Sequence, residues 1–135
     1  EVYEQTGVSI QDWQENAGIR LIEKSKSKFI YLCPNKDDLH FNIENRTAQM
    51  LSSEELYREV SALRKLRVPS AYPLMKAIGV REVIDLIDGK TNQDQVKISI
   101  NNQTKRYVKR QITWARKKMV DWNWIDDEKQ ISELL

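Results

Sequence analysis

Thr104-Lys105-Arg106-Tyr107-Val108-Lys109-Arg110-Gln111-Ile112-Thr113-Trp114-Ala115-Arg116-Lys117-Lys118 carries seven basic residues and no acidic one. All 20 acidic residues lie outside the span from Gln95 to Val120. Within and just before this stretch, Val96, Ile100, Tyr107 or Val108, Ile112 and Ala115 recur near the helical period. The spacing predicts one long helix from Asn92 to about Met119, with Thr91 as its cap. Lys105, Lys109 and Arg116 then lie beside Arg106, Arg110 and Lys117 on the outer face. The whole chain of 135 residues has a net charge of only +2, so its basic character is local. A local basic face with interleaved aromatics points to contact with a polyanion.

The sequence on either side sets the fold class. Downstream, Val120-Asp121-Trp122-Asn123-Trp124-Ile125-Asp126 alternates and predicts a terminal strand, followed by a short acidic helix over residues 127–135. Upstream, Asp88-Gly89 closes a helix expected over residues 72–86 and interrupted at Gly79. Pro69 and Pro73 bracket the loop before it. Ser53 is the expected N-cap of a helix whose stripe is Leu56, Val60, Leu63 and Leu66 or Arg67. Asn35 or Asp37 caps the preceding helix, with Leu39, Ile43 and Met50 on one face. Lys28-Phe29-Ile30-Tyr31-Leu32-Cys33-Pro34 is the best strand candidate. Its unbroken apolar run suits a strand buried on both faces. Residues 19–23 are a weaker strand candidate, after a loop at Asn16-Ala17-Gly18. At the start, a helix ends at Gly7, and Ser9 caps a short helix through Gln14 with Trp13 as its apolar anchor. The expected class is mostly α with one or two short strands.

Composition excludes several functions. The chain is 40% hydrophobic and 31% charged, and no apolar run approaches membrane-spanning length. Only four glycines are present, at 7, 18, 79 and 89, so neither Gly-x-x-x-x-Gly-Lys-Ser/Thr nor Gly-x-Gly-x-x-Gly can be formed. His40 is the only histidine and Cys33 the only cysteine. A His/Cys zinc site, a catalytic triad and an internal disulfide are therefore not expected, and a reducing compartment such as cytoplasm fits. Asp37-Asp38 and Asp126-Asp127 read as caps and dipole partners at helix starts rather than as catalysts. The chain begins at Glu1, not Met, which leads to the expectation of a trimmed N-terminus or a fragment.

For the basic helix, the plainer reading is a solvated face over an ordinary apolar stripe. Nucleic-acid binding and membrane-surface or partner-helix binding are the functional ones. Arg and Lys neutralise phosphates with a salt-dependent affinity, and Trp114 either stacks on an exposed base or packs in the core. Gln111 and Thr104 interrupt the apolar face, which argues against a membrane surface.

Lys109-Arg110-Gln111-Ile112-Thr113-Trp114-Ala115-Arg116 resembles the C-terminal signature Lys-Arg-Gln-x-Thr-Trp-x-Arg of the tRNA dimethylallyltransferases, or tRNA isopentenyltransferases. Thr104-Lys105-Arg106-Tyr107-Val108 is similar to that family's Thr-Arg-Gln-x-Ala lead-in. Pro73-Leu74-Met75-Lys76-Ala77-Ile78-Gly79-Val80-Arg81-Glu82 resembles its Pro-x-x-Arg-x-Ile-Gly-Tyr-Arg/Lys-Glu/Gln. Leu39, Ile43, Arg46 and Met50 fall at family spacing, and Glu1-Val2-Tyr3-Glu4-Gln5-Thr6-Gly7 resembles Leu-Glu-Val-x-x-x-Thr-Gly. The resemblance covers nearly the whole chain in the correct order. Val80 stands where the family has Tyr, Lys76 where it has Arg, and Lys105-Arg106 where it has Arg-Gln. The stretch from Leu51 to Leu56 lacks the family's Gly.

The resemblance implies the C-terminal part of a P-loop-kinase-like α/β fold, an ATP-binding family fold. Residues 1–18 would end a helical insertion, residues 19–126 belong to the transferase core, and residues 127–135 form the acidic terminal helix. It implies transfer of dimethylallyl from its diphosphate to N6 of the adenosine beside the anticodon. The phosphate loop and general base belong to the N-terminal half, so no catalytic residue and no metal ligand is expected here. Mg2+ is implied only for the complete enzyme. By the same resemblance, Lys76, Ala77, Ile78, Gly79, Val80, Arg81, Lys109, Arg110, Gln111, Ile112, Thr113, Trp114, Ala115 and Arg116 touch tRNA, and Arg46 faces the diphosphate. The expected partner is the tRNA anticodon stem-loop, with dimethylallyl diphosphate only if the other half is present. No membrane is expected, and the chain is expected to be a monomer. A stand-alone RNA-binding remnant and a decayed fragment are the alternatives.

Overall fold

A computed structural model describes residues 1–15 and 22–134. The loop expected at residues 16–18 and most of the strand candidate at 19–23 lie outside the described residues; Ile22 and Glu23 are not in a strand. The described residues form seven α-helices and a two-stranded parallel sheet. Helix α1 (Val2–Thr6) stops at Gly7, whose φ of 69° places it in the left-handed region. Helix α2 (Ile10–Glu15) begins where Ser9 Oγ accepts from the Asp12 N–H at 3.1 Å. Neither helix buries a residue, and Trp13 is 54% exposed, so it is not the apolar anchor expected of it.

Strand β1 (Ile30–Leu32) leads into α3 (Lys36–Ser52). Asn35 is the cap: its Oδ1 accepts from the N–H groups of Asp37 and Asp38 at 3.0 and 2.9 Å. Ser53 separates α3 from α4 (Glu54–Lys65), and its Oγ accepts from the Glu55 N–H at 3.3 Å. Leu66 falls beyond the end of α4 and is 73% exposed, so the expected stripe stops at Leu63. The helix expected over 72–86 is split. Residues Pro73–Lys76 make one 3₁₀ turn, and α5 (Val80–Ile87) starts after Gly79. Gly79 has φ 97°, a conformation that residues with a Cβ rarely adopt, and this breaks the helix in two.

Helix α6 (Gln93–Lys118) is the long basic helix. Its cap is Asn92, not Thr91: Asn92 Oδ1 accepts from the Gln95 N–H at 2.9 Å, while the Thr91 hydroxyl donates to Gln95 Oε1 at 2.8 Å. The chain then enters β2 (Asn123–Ile125) and ends in a 3₁₀ turn and α7 (Ile131–Leu134). β1 and β2 pair in the register Ile30–Asn123, Tyr31–Trp124 and Leu32–Ile125. Tilted ring pairs pack along this seam, with Phe29 and Trp122 centroids 5.3 Å apart and Tyr31 and Trp124 4.4 Å apart. Leu32 is 48% exposed, so the strand is not covered on both faces as its apolar run suggests.

The core is Leu51, Val60, Val83, Val96 and Ile100, one or two residues from each of α3 to α6. Polar ties fix how these helices meet. The Tyr57 hydroxyl and Gln93 Nε2 both donate to Leu51 O, at 3.0 and 3.3 Å, and Arg64 pairs with Asp88 at 2.6 Å. In α6, Val108 is half-buried while Tyr107 is 48% exposed, which settles which of the two is in the stripe.

Candidate nucleic-acid interface

Three stretches far apart in sequence meet in one groove of about 780 Å³. Helix α3 supplies one wall, α6 the other, and the turn after Pro73 closes the space between them. Leu39, Ile43, Met50, Ile78 and Ile100 make its apolar floor. Arg46, Lys76 and Arg110 bring three cations to it, one from each stretch, and no lining residue is acidic. Asn42, Gln111, Thr104 and Tyr107 add polar groups at the rim.

The local folding explains each placement. Arg46 lies three residues after Ile43, so it shares the face of α3 that meets α6. Lys76 and Ile78 are aimed by the 3₁₀ turn and by the left-handed Gly79 that follows. That turn is bolted to α6 through Glu82. One carboxylate oxygen accepts from the Gly79 N–H at 3.2 Å; the other accepts from Ser99 Oγ at 3.3 Å and from Gln103 Nε2. Glycine cannot return the bond, so this is half of a capping box. Arg110 stacks its guanidinium 5.6 Å from the centre of the Tyr107 ring, a cation–π contact that steers it.

The residues expected to bind tRNA do not all point the same way. Lys76, Ala77, Ile78, Arg110 and Gln111 line the groove, as does Arg46. Gly79 is buried, with Ile100 Cδ1 at 3.5 Å from the position a Cβ would take, and Val80 is half-buried. Arg81 folds back, donating from Nε to Met75 O at 3.2 Å and from a terminal nitrogen to Ser70 O at 3.0 Å. It braces the loop that carries Lys76. Ala115 is 1% exposed and Ile112 half-buried, so both are packing residues. Lys109, Thr113 and Trp114 lie on another face with Arg106 and Lys117, and Arg116 is exposed. Trp114, 57% exposed, is not in the core.

Lys105 leaves the outer face expected for it. Its Nζ reaches Glu44 Oε1 on α3 at 2.8 Å. That bond, and then the lysine's charge, lowers the Glu44 carboxyl below its ordinary range. Thr104, Asn42 and Tyr107 were not singled out as groove residues. The signal was present in their spacing, since Tyr107 and Thr104 stand four and seven residues before Gln111, one helical face.

Among the described residues, no group of three His, Cys, Asp or Glu side chains gathers as metal ligands. The groove itself has three cations and no carboxylate, a donor set unsuited to Mg2+, which takes oxygen ligands. Among the described residues, no helix is long and apolar enough to cross a membrane.

Comparison with known proteins matches residues 1–118 to the model of one family, described as IPP transferase. The chain is 38% identical over 122 residues to the tRNA dimethylallyltransferase of Anaplasma marginale (strain Florida), covering 88% of this chain and 38% of that protein. It is 36% identical over 125 residues to that of Bartonella henselae, covering 93% and 42%. With that of Ehrlichia canis it is 33% identical over 133 residues, covering 98% and 44%. The chain thus spans about two fifths of the length of these relatives.

Proposed function

Because the chain belongs to the IPP transferase family, we propose that it is the tRNA-gripping, C-terminal part of a tRNA dimethylallyltransferase. The observation that carries this reading is the groove. Arg46, Lys76 and Arg110 converge from three separate family-like stretches on a space with no acidic wall. A guanidinium forks onto two phosphate oxygens at once, so Arg46 is suited to a diphosphate and Arg110 to the tRNA backbone. Lys76 adds a point charge between them. The apolar floor beside these cations suits the hydrocarbon part of dimethylallyl diphosphate. Gln111, Thr104 and Asn42 offer uncharged hydrogen bonds to sugar or base edges.

The target adenine has to leave its stack before its exocyclic nitrogen can meet the prenyl donor. A protein that pulls a base out must hold the backbone on both sides of it. The exposed cations of the turn and of α6 supply that hold. The sequence holds no Gly-rich phosphate loop, which supports the reading that this part grips tRNA while the transfer chemistry belongs to the N-terminal half. The fuller enzyme has the P-loop-kinase-like core, to which the β1–β2 pair contributes two strands.

The test is to mix the chain with tRNA and labelled dimethylallyl diphosphate. The expected result is tRNA binding that weakens steeply with salt, and no label on the tRNA. Changing Lys76 or Arg110 to Ala lowers the slope of log affinity against log salt by about one for each cation removed. Label transfer by this chain alone, or binding that ignores salt, refutes the reading.

A further inference from the structure

Residues 67–79 run between two positions of left-handed backbone, Arg67 at φ 50° and Gly79 at φ 97°. Gly79 takes that form freely, but at Arg67 a Cβ makes it costly, so the surrounding structure must impose it. Between the two, Pro69 and Pro73 fix φ, and short turns stiffen the segment. The Tyr72 N–H donates to Pro69 O and the Met75 N–H to Tyr72 O, both at 3.0 Å. Its apolar side chains nevertheless stand in water: Tyr72 is 58%, Leu74 53% and Ile78 36% exposed. Leu74 and Ile78 border a pocket of about 310 Å³ with apolar walls from Leu56, Val60, Leu63 and Val83. Exposed hydrocarbon beside unfilled apolar space forgoes both the release of water and the dispersion contacts of a filled site. The tie that opposes an inward move is Arg81, whose guanidinium holds the carbonyls of Met75 and Ser70.

We propose that residues 67–79 form a strap with two seats, an outer one latched by Arg81 and an inner one in which Leu74 and Ile78 fill the pocket. An anion releases the latch. Both acceptors on it are neutral carbonyls, whereas a phosphate offers the guanidinium a bidentate partner of opposite charge. Arg81 is exposed, so such an anion can reach it. Ile78 borders the pocket and the groove alike, so what the strap fills on one side it vacates on the other. The inward move withdraws Ile78 and Lys76 from the end of the groove that the turn closes, and widens it for a bulky polyanion. The proposal rests on the tRNA-gripping reading only for the source of the anion, a backbone phosphate. The two seats and the latch do not depend on it.

The experiment reads the exposure of the Leu74 and Ile78 methyl groups by their NMR relaxation in the presence of a soluble gadolinium chelate. Val83, fully buried, is the internal standard. Side-chain cover is the readout rather than backbone mobility, because Ser70 and Met75 lose their bonds as the strap moves. In the parent chain both methyl groups relax as exposed ones. In Arg81→Ala, and in the parent chain with saturating inorganic pyrophosphate, their relaxation is expected to fall to that of Val83. Leu63→Phe, which fills the pocket from a half-buried position, restores the exposure in Arg81→Ala. Leu74 that stays exposed in Arg81→Ala, or becomes more so, overturns the proposal, as does cover that survives Leu63→Phe. The pyrophosphate arm needs no variant, and Leu74 left exposed there overturns the anion as the release. Binding of tRNA, followed separately by anisotropy, distinguishes the two readings. If the chain ignores tRNA while Arg81→Ala and pyrophosphate both seat the strap, the gripping reading falls and the strap stands. If tRNA binds and Leu74 stays exposed throughout, the strap falls alone.

Discussion

Lys105 Nζ lies 2.8 Å from Glu44 Oε1 and joins the basic helix α6 to α3. The Lys105 side chain is 27% exposed, the Glu44 side chain 51%. The hydrogen bond, then the lysine charge, holds the folded Glu44 carboxyl below its ordinary value. The pair therefore stabilises the fold fully above the ordinary glutamate range. Its contribution is lost as pH falls from that range through the lowered folded value. Thermal unfolding of wild type and Glu44→Gln at neutral and acid pH is expected to differ at neutral pH and converge in acid. The neutral-pH gap is small and shrinks in high salt, because the Glu44 carboxylate is half exposed to solvent. A gap that grows in acid contradicts this.

Glu82 receives three donors, from Gly79, Ser99 and Gln103. Glu82→Ala leaves all three without their acceptor and is expected to cost about 1–3 kcal/mol in denaturant unfolding. Glu82→Gln keeps a carbonyl oxygen and costs less. Equal losses for the two variants contradict the role of the carboxylate as a bolt between the turn and α6.

Gly79→Ala tests the break between the 3₁₀ turn and α5. The added Cβ meets Ile100 Cδ1 at 3.5 Å, an ordinary contact, so space is not the obstacle. The backbone is the obstacle, since φ of 97° is strained for any residue with a Cβ. The expected loss is about 1–2 kcal/mol, measured by chemical denaturation. No loss would mean that the turn relaxes into another conformation.

Arg81 holds Ser70 O and Met75 O with one guanidinium. Arg81→Lys keeps the charge and loses the fork. Limited proteolysis is expected to cut the segment between Arg67 and Lys76 faster in Arg81→Lys than in the parent chain. Unchanged cutting there would show that the brace is dispensable.

Much of this architecture was legible in the sequence because its signals are local. Asn35, Ser53 and Ser9 announce helix starts through side chains that bond amides two or three residues on. Gly79 announces a break because few residues tolerate its backbone. Thr91 misled because its hydroxyl is engaged by Gln95, which leaves Asn92 to cap α6. Leu51 carries no local mark of its role, yet it is 2% exposed and central to the core. Its place is set by Val60 and Val96 on other helices, and no local pattern encodes that. The groove was half legible. Motif order named Arg46, Lys76 and Arg110, but their meeting is a tertiary fact. So are the inward turn of Lys105 to Glu44 and the backward turn of Arg81, because each depends on an acceptor that no spacing rule identifies.

The parallel pairing of Ile30–Leu32 with Asn123–Ile125 has a consequence for how the chain reaches this shape. Every helix from α3 to α6 lies inside the loop that this pairing closes. A short seam cannot offset the entropy of closing so long a loop while the intervening chain is still unstructured. The helices must therefore assemble first and bring the two ends together, and the strands close last. Conversely, the seam is the first part of the packed structure to open, and hydrogen exchange at Cys33 and Asn123, whose amides bridge it, runs ahead of exchange at Val83 and Val96.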